Sequence, residues 1–109
     1  MDKNLQKFID EQEKKLVDCL HSDDTEKEIL LSWMAKLTEE VGELSDEILL
    51  YSGYQRKEKR DAKKQDALGG ELADVIIVTL LLAKRTNIDI QKALADKIKK
   101  INKRKYVRK

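Results

Sequence analysis

Glu40 and Glu43 stand three residues apart, and Glu71 and Asp74 repeat that spacing further along the chain. In a helix, residues at i and i+3 share one face, one turn apart. Each pair sits beside apolar positions: Val41 and Leu44 next to the first, Leu72 and Val75 next to the second. Two such pairs on facing helices can converge on one point inside a bundle. Four carboxylates gathered there without a counter-charge repel one another, and burial penalises their charged forms further. A hard divalent cation with oxygen ligands relieves both costs, so the pattern suits Mg²⁺, with Mn²⁺ as the alternative. Neither pair contains His or Cys, which argues against zinc. Glu39 and Glu47 extend the acidic stripe of the first pair. Either pair alone reads better as a solvated face than as a ligand set. The two together, both hugging apolar seams, point to a metal site instead.

The elements that must position these pairs are helices. The chain has 109 residues, no proline, four glycines and 40% charged residues, and it lacks the β-branched alternation of strands. A first amphipathic helix spans about Asn4 to Cys19, with Leu5, Phe8, Ile9, Gln12, Leu16 and Leu20 at helical spacing. His21 to Thr25 is a break rich in capping residues. A second helix runs from about Thr25 to Tyr51, its seam being Leu30, Met34, Leu37, Val41, Leu44, Ile48 and Tyr51. Gly42 in its interior costs about 1 kcal/mol and suggests a close neighbour or ligand at that turn. Ser52 to Asp66 reads as a polar, basic connection. The third helix starts between Asp66 and Gly70 and ends near Arg85, with Leu72, Val75, Ile76, Thr79, Leu80 and Ala83 as its core face. Ile77, Val78, Leu81 and Leu82 widen that face almost all round, which calls for a subunit interface in so small a chain. After a turn at Thr86 to Asp89, a fourth helix reaches about Lys103, with Ile90, Leu94, Ile98 and Ile101 inward. The expected architecture is all-α: an antiparallel four-helix bundle in a single domain over residues 1–109, oligomeric, with a basic tail over 103–109.

The net charge is +2, yet Lys97 to Lys109 holds eight basic residues and no acidic one. Arg56 to Lys64 is a second basic stretch. Such stretches meet phosphates or are solvated. Cys19 is the single cysteine, so no intrachain disulfide forms, and a reducing, cytoplasmic setting is expected. No apolar leader follows Met1, and the run from Val75 to Ala83 is too short to span a bilayer. Cys19 reads as a small core hydrophobe, and His21 as a loop residue rather than a ligand or base.

The stretch Lys36-Leu37-Thr38-Glu39-Glu40-Val41-Gly42-Glu43-Leu44, with Gly70-Glu71-Leu72-Ala73-Asp74-Val75 after a spacer, resembles the EExxE…ExxD signature of the MazG-like all-α nucleotide pyrophosphohydrolases. Asn87 to Ile90, Ala93-Leu94, Lys97, Asn102 and Lys105-Tyr106 resemble the family's C-terminal pattern, so the likeness covers roughly residues 28 to 106. The resemblance implies that Glu40, Glu43, Glu71 and Asp74 are Mg²⁺ ligands. It implies that Glu39, with Glu40, acts on the attacking water, and that a nucleoside triphosphate is cleaved between its α and β phosphates. Lys36, one turn before Glu40, is placed to reach a phosphate. Lys97, Asn102 and Tyr106 are further substrate candidates through the C-terminal pattern, with ordinary helix surface and tail as the equal alternative, and Trp33 reads first as a core residue and second as a candidate base contact. One departure touches selectivity: many relatives carry Tyr or Asn four residues after the ExxD aspartate, where this chain has Val78.

The expected function is therefore Mg²⁺-dependent hydrolysis of ribo- or deoxyribonucleoside triphosphates to monophosphate and pyrophosphate, in nucleotide pool cleaning, by a cytoplasmic homodimer or homotetramer without a membrane partner. The competing expectation is a non-enzymatic helical module that binds nucleic acid or protein through its basic C-terminus. No helix-turn-helix glycine, zinc ligand set or RNA-binding aromatic motif favours nucleic acid.

Overall fold

The computed structural model describes residues 1–52 and 62–108. Four helices make up the described residues, with no strand among them: α1 (Lys3–Leu20), α2 (Glu26–Ser52), α3 (Ala62–Arg85) and α4 (Ile90–Asn102). Most of the expected Ser52–Asp66 connection lies outside the described residues. Its last part is helical, because α3 begins at Ala62, where Ala-Lys-Lys-Gln contains no breaker.

Local chemistry sets the helix ends. Asp2 Oδ1 accepts from the Asn4 N–H at 3.0 Å and starts α1. Thr25 and Glu28 form a reciprocal capping box at the start of α2, with the Glu28 N–H donating to Thr25 Oγ1 at 3.2 Å and the Thr25 N–H to Glu28 Oε1 at 3.1 Å. Asn87 closes α3 in the left-handed region, at φ 57°. There the Ile88 N–H reaches the Ala83 carbonyl at 2.9 Å and the Asn87 N–H the Lys84 carbonyl at 3.2 Å, a Schellman pair. Asp89 then caps α4 through the Lys92 N–H at 3.1 Å.

Packing centres on α3. It lies along α2 and also meets α1. Ile9, Ile29, Trp33, Leu80 and Leu81 form the buried core. Arg85, in the last turn of α3, gathers the three helices: its Nε donates to Glu26 Oε1 of α2 at 3.0 Å and its Nη1 to Glu13 Oε1 of α1 at 2.8 Å. Those two carboxylates hold the guanidinium pKa above its ordinary value.

The four helices fall close to where the pattern places them, with α3 starting earlier, but the buried faces agree only in part: Ile9, Leu80 and Ala83 are buried as expected. On α2 the buried residues are Ile29, Trp33 and Glu40, and the expected seam is split: Leu30, Leu37, Leu44 and Tyr51 are half-buried, while Met34, Val41 and Ile48 are exposed. On α3 the chain buries Val78, Leu80, Leu81 and Ala83 and leaves Leu72, Ile76 and Thr79 open. On α4 no residue is buried, and Leu94, Ile98 and Ile101 face outward. Among the described residues both long helices keep apolar side chains exposed, Met34, Val41 and Ile48 on α2 and Leu72 and Ile76 on α3. Cys19 is exposed, not a core residue. A Cβ added at Gly42 would meet nothing within 4 Å, so no close neighbour among the described residues explains that glycine. The Cα radius of gyration, 17.4 Å, exceeds the roughly 13 Å of a compact domain of this length.

Candidate functional site

The α2–α3 pair brings three of the four candidate ligands together. One carboxylate oxygen from each of Glu40, Glu43 and Glu71 lies within 4.8 Å of the others. Glu40 is buried at 6% exposure, Glu71 is half-buried and Glu43 is exposed at the rim. Asp74, one turn after Glu71, is exposed and stands outside this trio. It shares with Glu40 the wall of a cavity of about 420 Å³ that α1, α2 and α3 enclose.

The electrostatics are those of concentrated negative charge. Repulsion from Glu40, followed by desolvation and by the charges of Glu71 and Glu39, raises the Glu43 pKa above its ordinary value. Lys36 answers part of this charge. Its ammonium lies 3.0 Å from Glu40 Oε1 and 3.7 Å from Glu39 Oε1, and these carboxylates, Glu40 foremost, raise its pKa. The remaining oxygens are not satisfied: Glu40 Oε2 and Glu71 Oε2 are buried with no hydrogen-bond partner among the described residues. Buried carboxylate oxygens left so are costly. An all-oxygen donor set converging from two helices, with unmet acceptors inside, fits a hard divalent cation.

The raised Glu43 pKa sets a pH test. A carboxyl whose folded pKa exceeds its unfolded value costs no stability at acid pH, where both states are protonated. The cost grows as pH rises above about the ordinary value of 4.5 and is complete once Glu43 is ionised in the folded state. In chelator, Glu43→Gln is therefore expected to melt above wild type at neutral pH and level with it at acid pH. Thermal melts across pH read this directly, and a gap that widens on acidification contradicts the assigned repulsion.

Trp33 is buried and lines the cavity, and its indole N–H donates to His21 Nε2 at 3.1 Å. His21 in turn meets Asp24 through Nδ1 at 2.8 Å. Because Nε2 accepts from Trp33, the neutral ring carries its proton on Nδ1 and donates to Asp24. His21 is thus the expected loop residue, but a buried one that holds Trp33. The Asp24 spacing was its only sequence signal, since the Trp33 contact folds the α1–α2 loop back onto α2. Lys36, Trp33, Glu40 and Asp74 all line the cavity. Lys97 and Asn102 lie exposed on α4 and Tyr106 lies exposed beyond it, and none of these three lines the cavity. Val78, the departure noted above, is a buried cavity wall. Sequence reasoning missed the wall that α1 supplies, Phe8, Gln12, Leu16 and Leu20, which recurs at four-residue spacing. A second cavity, of about 230 Å³, lies against α1 and the α3–α4 turn. Its charged residues are engaged already, Lys84 with Asp10 at 3.2 Å and Asp89 as the α4 cap.

No helix among the described residues is long and apolar enough to cross a membrane. The chain is similar to the Bacillus subtilis (strain 168) protein described as uncharacterized protein YpjD, at 34% identity over 74 residues, 68% of this chain. The chain spans 65% of that relative's length. No solved structure matches. The model of the MazG nucleotide pyrophosphohydrolase domain matches residues 29–108, a stretch that holds both carboxylate pairs, Lys36 and Trp33 and begins after α1. Matched over most of its length, with the acidic residues of that stretch meeting between α2 and α3, the chain belongs to the MazG nucleotide pyrophosphohydrolase domain family.

Proposed function

We propose that the protein is a Mg²⁺-dependent pyrophosphohydrolase of ribo- or deoxyribonucleoside triphosphates, cleaving between the α and β phosphates. The observation that carries this reading is the pair of buried, unpartnered carboxylate oxygens of Glu40 and Glu71 inside the acidic trio, beside a cavity open to a ligand. Glu40, Glu43 and Glu71 hold the cation, and Asp74 completes the set from the next turn of α3. When bound, Mg²⁺ (or Mn²⁺) offsets the triphosphate charge and acts as a Lewis acid at the anhydride. Lys36 stays protonated beside Glu40 and contacts a phosphate oxygen. Glu39, one residue before Glu40 and exposed, takes a proton from the attacking water. Water adds to one phosphorus of the α–β anhydride as the bridging oxygen leaves with the other, giving a nucleoside monophosphate and pyrophosphate. Trp33 offers an apolar ring to the base.

Among the described residues Lys36 is the one cation lining the cavity. A triphosphate needs more positive charge than that, and α4 with the tail carries it on a surface the chain's own body does not cover. The reading therefore includes a homodimer, or a dimer of dimers, in which α4 of a second copy brings Lys97, Asn102 and Tyr106 toward the site. Cleaning of the nucleotide pool in the cytoplasm is the role that fits this activity.

The exposed basic C-terminus favours one other reading, a nucleic-acid-binding or protein-interaction module, whose affinity for nucleic acid would fall steeply with salt. It leaves the buried carboxylate oxygens without a purpose. A panel of ribo- and deoxyribonucleoside triphosphates incubated with Mg²⁺ separates the two. Stoichiometric monophosphate and pyrophosphate are expected, and both are lost in chelator. No release from any member of the panel, with Mg²⁺ or Mn²⁺, rejects the enzymatic reading.

A further inference from the structure

We infer that α1, which precedes the stretch matched by the family model, forms the base-reading wall of the cavity, with the Gln12 amide hydrogen-bonding the edge of a nucleobase that lies against Trp33. The inference rests on the proposed triphosphate reading and assigns a specificity residue to it.

The charged walls of the cavity, Lys36, Glu40 and Asp74, all come from α2 and α3. The α1 wall carries no charge: Phe8, Leu16 and Leu20 are apolar, and Gln12 is the one polar member of that stripe. The phosphates and their cation thus belong with α2 and α3, which leaves the uncharged end of the nucleotide to α1. At about 420 Å³ the cavity is in the range of small-molecule sites, whose apolar lining carries a few placed polar groups. Gln12 is such a group. Gln6, which lines the second cavity instead, spends its amide on Asp10 at 2.9 Å, whereas the half-buried Gln12 makes no hydrogen bond within the described residues. An amide supplies one acceptor and donors in a plane, the pattern that pairs with adjacent donor and acceptor atoms of a base edge. Trp33 has its N–H held by His21, so what it offers the cavity is ring surface, suited to stacking rather than to hydrogen bonding.

Trp33 is the single tryptophan, so its fluorescence reports the base directly. The probes are α,β-methylene analogues of the common ribo- and deoxyribonucleoside triphosphates, with Mg²⁺, and inorganic tripolyphosphate, which has the phosphates and no base. Titrations follow Trp33 emission, with calorimetry as the independent measure of binding. The nucleotide analogues are expected to change the emission and tripolyphosphate to leave it unaltered. In Gln12→Leu, which keeps the wall's bulk, the affinity for the preferred base is expected to fall about tenfold, so that the spread across bases narrows while tripolyphosphate binding stays the same. Gln12→Glu, which keeps the shape and removes the donors, should reorder the bases rather than weaken all alike. Analogues that bind by calorimetry without touching Trp33 emission, or a base preference that survives Gln12→Leu, overturn the inference and leave the hydrolytic reading standing. A wild type that neither binds the analogues nor hydrolyses triphosphates rejects that reading itself, and the base wall with it.

Discussion

Glu71→Gln is expected to lower pyrophosphate release by about two orders of magnitude or more, while the helical spectrum and melting temperature in chelator hold or rise. The physical reason is the asymmetry between the two forms of the protein. Without metal, Glu71 contributes a half-buried carboxylate with one oxygen unpartnered and helps raise the Glu43 pKa by repulsion. Removing its charge relieves a cost. With metal, the same charge is a ligand, and a neutral amide oxygen replaces it poorly. Calorimetric titration with Mg²⁺ separates the cases: wild type binds and gains thermal stability by linkage, and Glu71→Gln loses most of both. Asp74→Asn is expected to act in the same direction by a smaller factor, because Asp74 is exposed and lies outside the trio. A Glu71→Gln protein with full turnover and an unaltered Mg²⁺ response would remove the metal assignment. Equal loss of folding and of activity would reduce Glu71 to a structural residue.

Sequence reasoning recovered the helices more fully than their faces. Caps are local chemistry, so Thr25 with Glu28, Asn87, and Asp89 mark their ends from neighbours within four residues. The carboxylate spacing was legible for the same reason, since i and i+3 on one helix share a face whatever the helix packs against. Which face is buried depends on partners elsewhere in the chain. On α2 the heptad through Met34, Val41 and Ile48 is more apolar than the row through Ile29 and Trp33, which runs on to Lys36 and Glu40, so periodicity alone points away from the row that is most buried. The structure chooses the second row, and with it buries Glu40. Glu40 is then carried inward beside Trp33 and the cavity, where the first row would have left it flanking a seam. The Trp33–His21–Asp24 chain was hidden because the α1–α2 loop folds back onto α2, and the Gln12 wall because it forms where α1 meets the other helices; spacing within one helix encodes neither.

The rejected row on α2 leads to the second large effect: Ile98→Lys is expected to convert an oligomer into 12.7 kDa monomers and to cut hydrolysis at least about tenfold. Helix α4 is 13 residues long and, among the described residues, only its first residue, Ile90, is half-buried against the core. Isolated helices of that length are marginal in water, and docking on a second copy, as proposed, would add the packing it lacks. Its apolar stripe is open, with Leu94 at 54% and Ile98 at 55% exposure, and the uncovered sides of α2 and α3 add Val41, Ile48, Leu72 and Ile76. Burying each such side chain stabilises an assembly by about 1.5–3 kcal/mol, and a two-fold interface counts every contact twice. A lysine at position 98 places a charge in the middle of that stripe. Lys99→Ala, on the solvated side of α4, keeps the mass and the activity and so controls for helix propensity. Sedimentation of the three proteins gives the masses, and the pyrophosphate assay gives the rates. Coupling of the two readouts is the discriminating point, since in the proposed assembly Lys97, Asn102 and Tyr106 reach a triphosphate only if α4 docks on a neighbour. A wild-type monomer with full activity, or an Ile98→Lys monomer that turns over as fast as the parent, would show that one chain completes the site and that the open faces serve another purpose.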